Sequence, residues 1–495
     1  MEEGKQKATR LSEEPRENMK TIPFKHQAEC HKLSWEKKCF AILLEQGLGK
    51  TKVCLDTAEA LFKAHRIEAM LVVAPNGVHS NWARNQVPLH LDCPHVMVEY
   101  GAGKVKTKRF DSQIFELLAP TLRERRLRLL VVNVEAYSVP GAIYDLSLKL
   151  LDKFPALMVV DESTRIKTPR AQRTKRIISL GRHAKYRRIL TGTPVTQSPF
   201  DVYSQFAFLD YNLLGFYSYA AFRHNYGRWE KKFTRKGDKS WEYEELISYI
   251  HLDDLRQRLA PHYYRREKAE CLDLPPKIYK VVGVDLSSQQ RRLYQQVEKE
   301  GVLEFDDFRL LTPLQITRLL RCQQITGGFL PTEEQGVARP LKENPKLDLL
   351  LELIEDHPGK TIIWARFRAE ITAIVNKLKE IYGHDSVVEY HGGVPANQRP
   401  EMVKRFQEGK ARFLVGQQAS GVGIDLYAAE TVFYYSNDFS YEHRYQTEDR
   451  CHRVGLKHPV LYIDLIANDT ADERVRAVHE RARKAAVAVL GERKK

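Results

Sequence analysis

The sequence predicts an α/β protein built as two parallel-sheet lobes with mainly helical material between them. Three observations carry that prediction. Short apolar runs alternate with helical patterns in two separate stretches of the chain. Those runs are apolar throughout rather than at every second residue, as strands covered on both faces must be. The span between the stretches is dominated by helical periodicity and carries few strand patterns. A length of 495 residues exceeds what one hydrophobic core serves and fits two or three domains.

The elements follow in order. Residues 1–20 form a charged lead-in without the apolar stretch of a secretory signal, and are expected to be disordered. Lobe one is expected over 21–196, with strands in CFAILLEQ, AMLVVAP, LRLLVVNVEAY, ALMVVDES and YRRILTGTP and a helix in TKVCLDTAEALFKAH. Within it, GKVKTKRF (103–110) reads as a solvated loop, and RERRLRLL (123–130) as a buried strand whose arginines stay in water. Residues 197–335 are expected to be a mainly helical insertion and inter-lobe link. There RWEKKFTRKGDKSWEY (228–243) alternates aromatics and lysines about a Gly-Asp turn, which predicts a solvent-facing hairpin, with contact to nucleic acid as the alternative. PTEEQGVARPLKENPK (331–346) reads as a surface connection, and lobe two is expected over 336–495. Its strands are KTIIWARF, DSVVEYHG, ARFLVGQ, TVFYYSN and PVLYIDLI.

Lysine and arginine outnumber aspartate and glutamate by 79 to 64, a net charge of +15. Such an excess points to an anionic partner, of which nucleic acid is the commonest. No run approaches the roughly 18 apolar residues of a membrane span. The seven scattered cysteines contain no CxxC pair, which predicts reduced thiols in a cytosol-like compartment and argues against a disulfide framework or zinc site.

LLEQGLGKTKVCL places a Gly-x-Gly-Lys-Thr turn between a strand and a helix. Gly47 and Gly49, flanking Leu48, let the backbone curl its N–H groups toward phosphate oxygens, and the helix starting near Lys50 adds its positive end. Lys50 suits the β- and γ-phosphates of ATP, and Thr51 offers a hydroxyl to Mg²⁺. Leu44 stands where the usual motif has its first glycine. Downstream, Asp161 ends an apolar strand where it can hold Mg²⁺ through water, and Glu162 can polarise the attacking water.

A kinase or small GTPase needs only those two motifs. This chain adds Leu190-Thr191-Gly192-Thr193-Pro194 and a distal string, ASGVGIDLYAAETVFYYSNDFSYEHRYQTEDRCHRVG, with Gly421, Gly423, Gln446, Arg450 and Arg453. Arg450 and Arg453, three apart on a predicted helix, are expected on one face. With these motifs the chain resembles the Swi/Snf-type ATPases of helicase superfamily two, in a compact bacterial or phage-like form, from about Pro23 onward. PFKHQ resembles the family's glutamine motif, which implies adenine recognition by Gln27. LEQGLGKT has the family's form, which also lacks the early glycine. VVAPNGVHSNW, the Arg265-Arg266 and Leu-Pro-Pro-Lys stretch, and HGGVPANQRPEMVKRFQEGKARFLVGQ are similar to further family segments. Thr164 departs from the family's histidine, and Leu456 from its final glutamine.

The resemblance implies two RecA-like lobes with ATP in the cleft between them. Lys50, Glu162, Gln446, Arg450 and Arg453 would be catalytic; Gln27, Gly47, Leu48, Gly49, Lys50, Thr51 and Gly423 would bind ATP; Thr51 and Asp161 would hold Mg²⁺. Asn81, Trp82, Arg165 and Thr191 in lobe one, and Arg366, His391, Gln418 and Ser420 in lobe two, would touch the DNA backbone. The implied activity is ATP-dependent translocation on double-stranded DNA, remodelling branched DNA or protein–DNA complexes. A strand-separating or branch-migrating helicase and a non-hydrolysing, ATP-gated DNA-binding protein are the alternatives. The expected setting is a bacterial nucleoid or phage-infected cytoplasm.

Overall fold

Each long apolar run of the first stretch forms a strand, and the strands join side by side in one parallel sheet. The computed structural model describes residues 19–101, 108–120, 124–236, 239–300, 302–305, 308–311, 315–331, 338–395, 397–421, 424–453 and 455–491. Two compact units divide the chain: Met1–Leu272 with Ala482–Lys495, and Asp273–Arg481.

The first unit holds β1 (Cys39–Leu44), β2 (Ala69–Ala74), β3 (His95–Glu99), β4 (Leu127–Asn133), β5 (Ala156–Asp161) and β6 (Tyr186–Leu190). A hairpin follows, β7 (Gly227–Lys236) and β8 (Lys239–Tyr249), and then β9 (Tyr263–Arg266). The sheet order is β3-β4-β2-β5-β6-β1-β9, with every pair parallel. Neighbouring residues of one strand serve opposite faces. Ala41 and Leu43 join one apolar core, while Ile42 and Leu44 join the other. A sheet covered on both sides needs this continuous apolar sequence. Helices α1 (Lys25–Ser34) and α2 (Lys50–Lys63) flank β1 in the chain, and α2 begins directly after the Gly47–Gly49 turn.

The first unit runs past the expected boundary at residue 196, to Leu272. Strand β9 is the reason: it lies parallel to β1 with Leu44 opposite Arg266. Arg265 and Arg266, expected in an inter-lobe link, are therefore part of the first sheet. The last turns of the helix Ala471–Leu490 also belong here, with Ala485, Val489 and Leu490 in the core. Arg128 of β4 is buried rather than solvated. Its guanidinium lies 4.0 Å from the Phe154 ring centroid and donates to the Ala119 carbonyl at 3.1 Å. The expected hairpin is present as β7–β8, although the Gly-Asp turn at 237–238 lies outside the described residues. Its base is anchored by Trp229, which stacks on Phe200 (centroids 6.0 Å apart) and carries the Arg223 guanidinium at 3.5 Å.

In the second unit, β10 (Lys277–Val284) precedes two short hairpins, β11 (Val302–Phe305) with β12 (Phe308–Leu311) and β13 (Phe329–Pro331) with β14 (Ala338–Pro340). Then come β15 (Thr361–Ala365), β16 (Val387–Tyr390), β17 (Phe413–Gln417), β18 (Thr431–Tyr434) and β19 (Val460–Ala467). The order is β10-β19-β18-β15-β17-β16, again parallel throughout. Because β10 pairs with β19 over its full length, the unit starts at Asp273, well before the expected 336. The span 197–335 is thus less helical than its periodicity suggests. Among the described residues, no helix is long and apolar enough to cross a membrane.

Candidate nucleotide site and nucleic-acid contacts

The chain leaves β1 at Leu44 and enters α2 at Lys50 through a five-residue loop. Gly47 and Gly49 have φ of +85° and +79°, the left-handed region that other residues avoid. A Cβ on Gly49 would meet the Gln27 amide nitrogen at 2.2 Å, so any larger residue there must displace the Gln27 side chain. Gln27 bridges the two: its amide donates to the Leu48 carbonyl at 3.0 Å and its oxygen accepts from the Phe24 amide at 3.0 Å. His26 Nε2 also lies 2.9 Å from the Leu48 carbonyl. At the base of the loop, Lys50 Nζ donates to the Leu44 carbonyl at 3.1 Å. Leu44, the residue in place of an early glycine, is therefore a buried strand end whose carbonyl receives the lysine.

The loop's first residue is fixed by the segment that follows β9 and by β9 itself. The Glu45 amide donates to the Arg266 carbonyl at 3.0 Å, and the Glu45 carboxylate accepts from the Lys268 amide at 2.7 Å. The signal for this was the Arg-Arg-Glu-Lys run, but no spacing rule reveals that it pairs beside β1.

Asp161 is the last residue of β5 and is buried. One carboxylate oxygen accepts from the Trp82 indole at 2.7 Å, and the other from the Glu162 amide at 2.9 Å. Burial pushes its pKa up, while the indole donor, the Lys50 charge and the Glu162 amide pull against that rise. Glu162 has φ +46°, a strained setting for a residue with a Cβ, and it turns the chain out of the strand edge. The following turn is braced by Ser163, whose hydroxyl donates to Gln205 Oε1 at 2.6 Å. Lys167 Nζ reaches the Thr196 hydroxyl at 2.5 Å, and Asp201 accepts from the Thr196 and Gln197 amides at 2.9 and 2.8 Å.

These donors fit a nucleotide and its metal. Two left-handed glycines turn the backbone into the N-terminus of α2, where Lys50 and Thr51 stand as the first two residues. Thr51 and the buried Asp161 are hard oxygen ligands of the kind Mg²⁺ takes.

Two expected lobe-one contacts with nucleic acid are corrected. Trp82 is fully buried and its one donor is committed to Asp161, so its ring does not face a track. Thr191 is fully buried, and its hydroxyl oxygen accepts from the Thr193 amide at 3.1 Å, which shapes the Thr-Gly-Thr-Pro turn. Asn81 is exposed and Arg165 half-buried.

In the second unit, Gln418 is buried and committed within the fold, against its expected place on the DNA backbone: its amide nitrogen donates to Asn437 Oδ1 at 2.8 Å and its oxygen accepts from the Asp438 amide at 3.0 Å. Arg366 is half-buried, donates to Gln323 Oε1 and lies 5.2 Å from the Phe439 ring. His391 Nδ1 accepts from the Gly393 amide at 3.0 Å, which leaves its proton on Nε2, facing Glu389 at 3.4 Å. Ser420 is half-buried, and Gly423 lies outside the described residues. Gln446 is buried, with its amide 3.4 Å from Glu442 Oε1. The helix Tyr441–Cys451 ends before Arg453, so the shared helical face expected for Arg450 and Arg453 does not exist. Arg450 sits buried in the last turn; Arg453 pairs with Asp425 and donates to the Asp449 carbonyl at 3.2 Å.

Residues 26–324 match the SNF2-related domain, and residues 345–455 match the helicase conserved C-terminal domain. The chain belongs to the SNF2-related family. Among relatives, a CHD3-type chromatin-remodeling factor of Arabidopsis thaliana is 26% identical over 465 residues, covering 89% of this chain and 35% of that protein. An uncharacterised ATP-dependent helicase of Mycoplasma genitalium is 26% identical over 437 residues, covering 87% of this chain and 38% of its own length. The chain thus spans little more than a third of these relatives. The SWI2/SNF2 ATPase core of Sulfolobus solfataricus, solved in complex with dsDNA, is 21% identical, with 95% of each chain covered and a TM-score of 0.41.

Proposed function

We propose that this SNF2-related chain is an ATP-hydrolysing translocase on double-stranded DNA. The observation that carries the reading is the first unit's constellation, with Lys50 at the head of α2 and Asp161 and Glu162 at the end of β5. In a protein whose second unit matches the helicase C-terminal domain, that constellation serves a motor better than a kinase.

The roles follow from the chemistry of each group. Lys50 and the loop amides hold the β- and γ-phosphates, and Gln27 reads the adenine side. Thr51 and Asp161 would hold Mg²⁺, which neutralises charge on the phosphates. Glu162 orients the attacking water and accepts its proton. Gln446, Arg450 and Arg453 are the second unit's share of the phosphate chemistry, with Arg453 released from Asp425 when it acts. The net charge of +15 suits a track held through its phosphates, with salt-sensitive and sequence-independent affinity. Asn81, Arg165, Arg366, His391 and Ser420 remain as track contacts. Remodelling of branched DNA or of protein–DNA complexes is the corresponding task.

Glu162→Gln tests the mechanism. Turnover should fall by at least about 100-fold while ATP affinity stays within a few-fold. Unchanged turnover would remove Glu162 from the assigned role. A wild-type chain that binds ATP without hydrolysing it would instead favour an ATP-gated binding protein.

A further inference from the structure

The segment Val78–His90 follows the end of β2 and changes character along its length. Val78–Asn81 is α-helical, Trp82–Gln86 is a π-helical turn, and Val87–His90 is α-helical again. π turns are rare and concentrate at functional sites. This one begins at Trp82, the residue whose indole reaches Asp161. The two sides of the segment differ sharply. Asn81, Arg84 and Asn85 are exposed, with Asn85 donating to Asn81 Oδ1 at 2.8 Å. Trp82 and Ala83 are buried, and the indole makes its 2.7 Å hydrogen bond inside the sheet's C-terminal edge.

Alone, a buried tryptophan only fills a core. Here the ring is fully enclosed in the first unit's second core, so it cannot rotate freely. Its one polar atom meets the carboxylate assigned to Mg²⁺, 79 residues further along the chain. Any shift of the polar face of the segment therefore shifts the donor on Asp161. That face presents an arginine and two carboxamides, side chains that bind phosphodiester oxygens. Arg84 is exposed and pairs at 3.3 Å with the largely buried Glu99, a carboxylate that also accepts from the Ser80 hydroxyl at 2.7 Å, so Glu99 keeps a donor when a phosphate takes the guanidinium.

We infer that Trp82 is a positioning residue that couples a nucleic-acid backbone at Asn81, Arg84 and Asn85 to the carboxylate of Asp161. The inference rests on the translocase reading above and adds the route by which the track sets the nucleotide site. Binding of duplex on one side and of nucleotide on the other must then be linked, each tightening the other by the same factor.

The test uses the full chain, a 40-base-pair duplex, and a fluorescent non-hydrolysable ATP analogue with Mg²⁺. Analogue affinity is measured without and with saturating duplex, and duplex affinity without nucleotide. Trp82→Phe keeps an aromatic ring and removes the donor. It should lower the duplex-induced gain in analogue affinity by about ten-fold, or to no gain at all, the size expected for a hydrogen bond to a charged group. Duplex affinity without nucleotide should stay within two-fold. The ratio of duplex-stimulated to basal ATP turnover should fall in step. If Trp82→Phe does not fold, 3-benzothienylalanine at position 82 replaces only the N–H by sulfur and should give the same loss. A variant that keeps the full gain overturns the inference and leaves the translocase reading intact. A wild-type chain with no link between duplex and nucleotide overturns both.

Discussion

Replacing Gly49 by alanine tests how tightly the phosphate loop is built. At φ +79° an L-residue carries a penalty of about 1–2 kcal/mol. The new Cβ would also sit 2.2 Å from the Gln27 amide nitrogen, which must move. Moving it breaks the bonds to the Leu48 carbonyl and from the Phe24 amide, both 3.0 Å, at about 1 kcal/mol each. Gly49→Ala should therefore destabilise the first unit by about 3 kcal/mol or slightly more. Gln27→Ala removes the obstacle, and in that background Gly49→Ala should cost only the backbone term, about 1–2 kcal/mol. Calorimetry of the four proteins of this cycle, read on the transition that an ATP analogue shifts, gives the interaction energy directly. Additive effects would refute the contact between the Gln27 side chain and position 49 as a source of the cost.

Two further substitutions probe the second unit. Arg444 is buried, pairs with Asp464 and with Glu448 at 2.7 Å, and lies 3.4 Å from the Tyr434 ring centroid. Burial alone would push the Asp464 carboxyl up, yet Arg444 brings it below its ordinary value. Arg444→Ala should thus remove the cation shared by two carboxylates, leaving Asp464 with the Asn437 amide at 2.8 Å and Glu448 with the Tyr279 hydroxyl at 2.8 Å, and cost about 3 kcal/mol in urea unfolding, against little change if the network were solvated. Glu370 is buried with its Oε2 accepting from the Arg366 and Phe367 amides at 3.1 and 3.0 Å, and burial pushes its carboxyl up to about 7 from an ordinary 4.5. The folded chain holds this proton more tightly than the unfolded one. Its contribution is therefore full below pH 4.5 and lost as pH rises through about 7. Relative to Glu370→Gln, the wild type should lose up to about 3 kcal/mol between pH 5 and 8. Parallel pH profiles of the two would contradict the assignment.

The central strands were legible because a strand buried on both faces leaves no polar alternation, and CFAILL, AMLVVA and ALMVVD have none. Strand β9 was not, since Tyr-Tyr-Arg-Arg holds no apolar run and its place is set by pairing with β1. Strand β10 escaped for a related reason: as an edge strand it leaves Ile278, Tyr279 and Val281 exposed, so sequence and burial disagree. At the site, Lys50, Thr51, Asp161 and Glu162 follow from local chemistry at strand ends. The burial of Thr191 and Gln418, and the commitment of Trp82 to Asp161, depend on partners distant in sequence or on tertiary packing. The helix end at Cys451 is equally hidden, since His452 and Arg453 continue a run that reads as helical.

The most direct test is the rate of ATP hydrolysis by the full chain alone and with duplex, single-stranded, forked and four-way DNA, and with RNA. A translocase on double-stranded DNA predicts strong stimulation by plain duplex, equal or greater stimulation by forked and four-way DNA, and steep loss with added salt. Stimulation by single-stranded DNA or RNA with none by duplex would contradict the account.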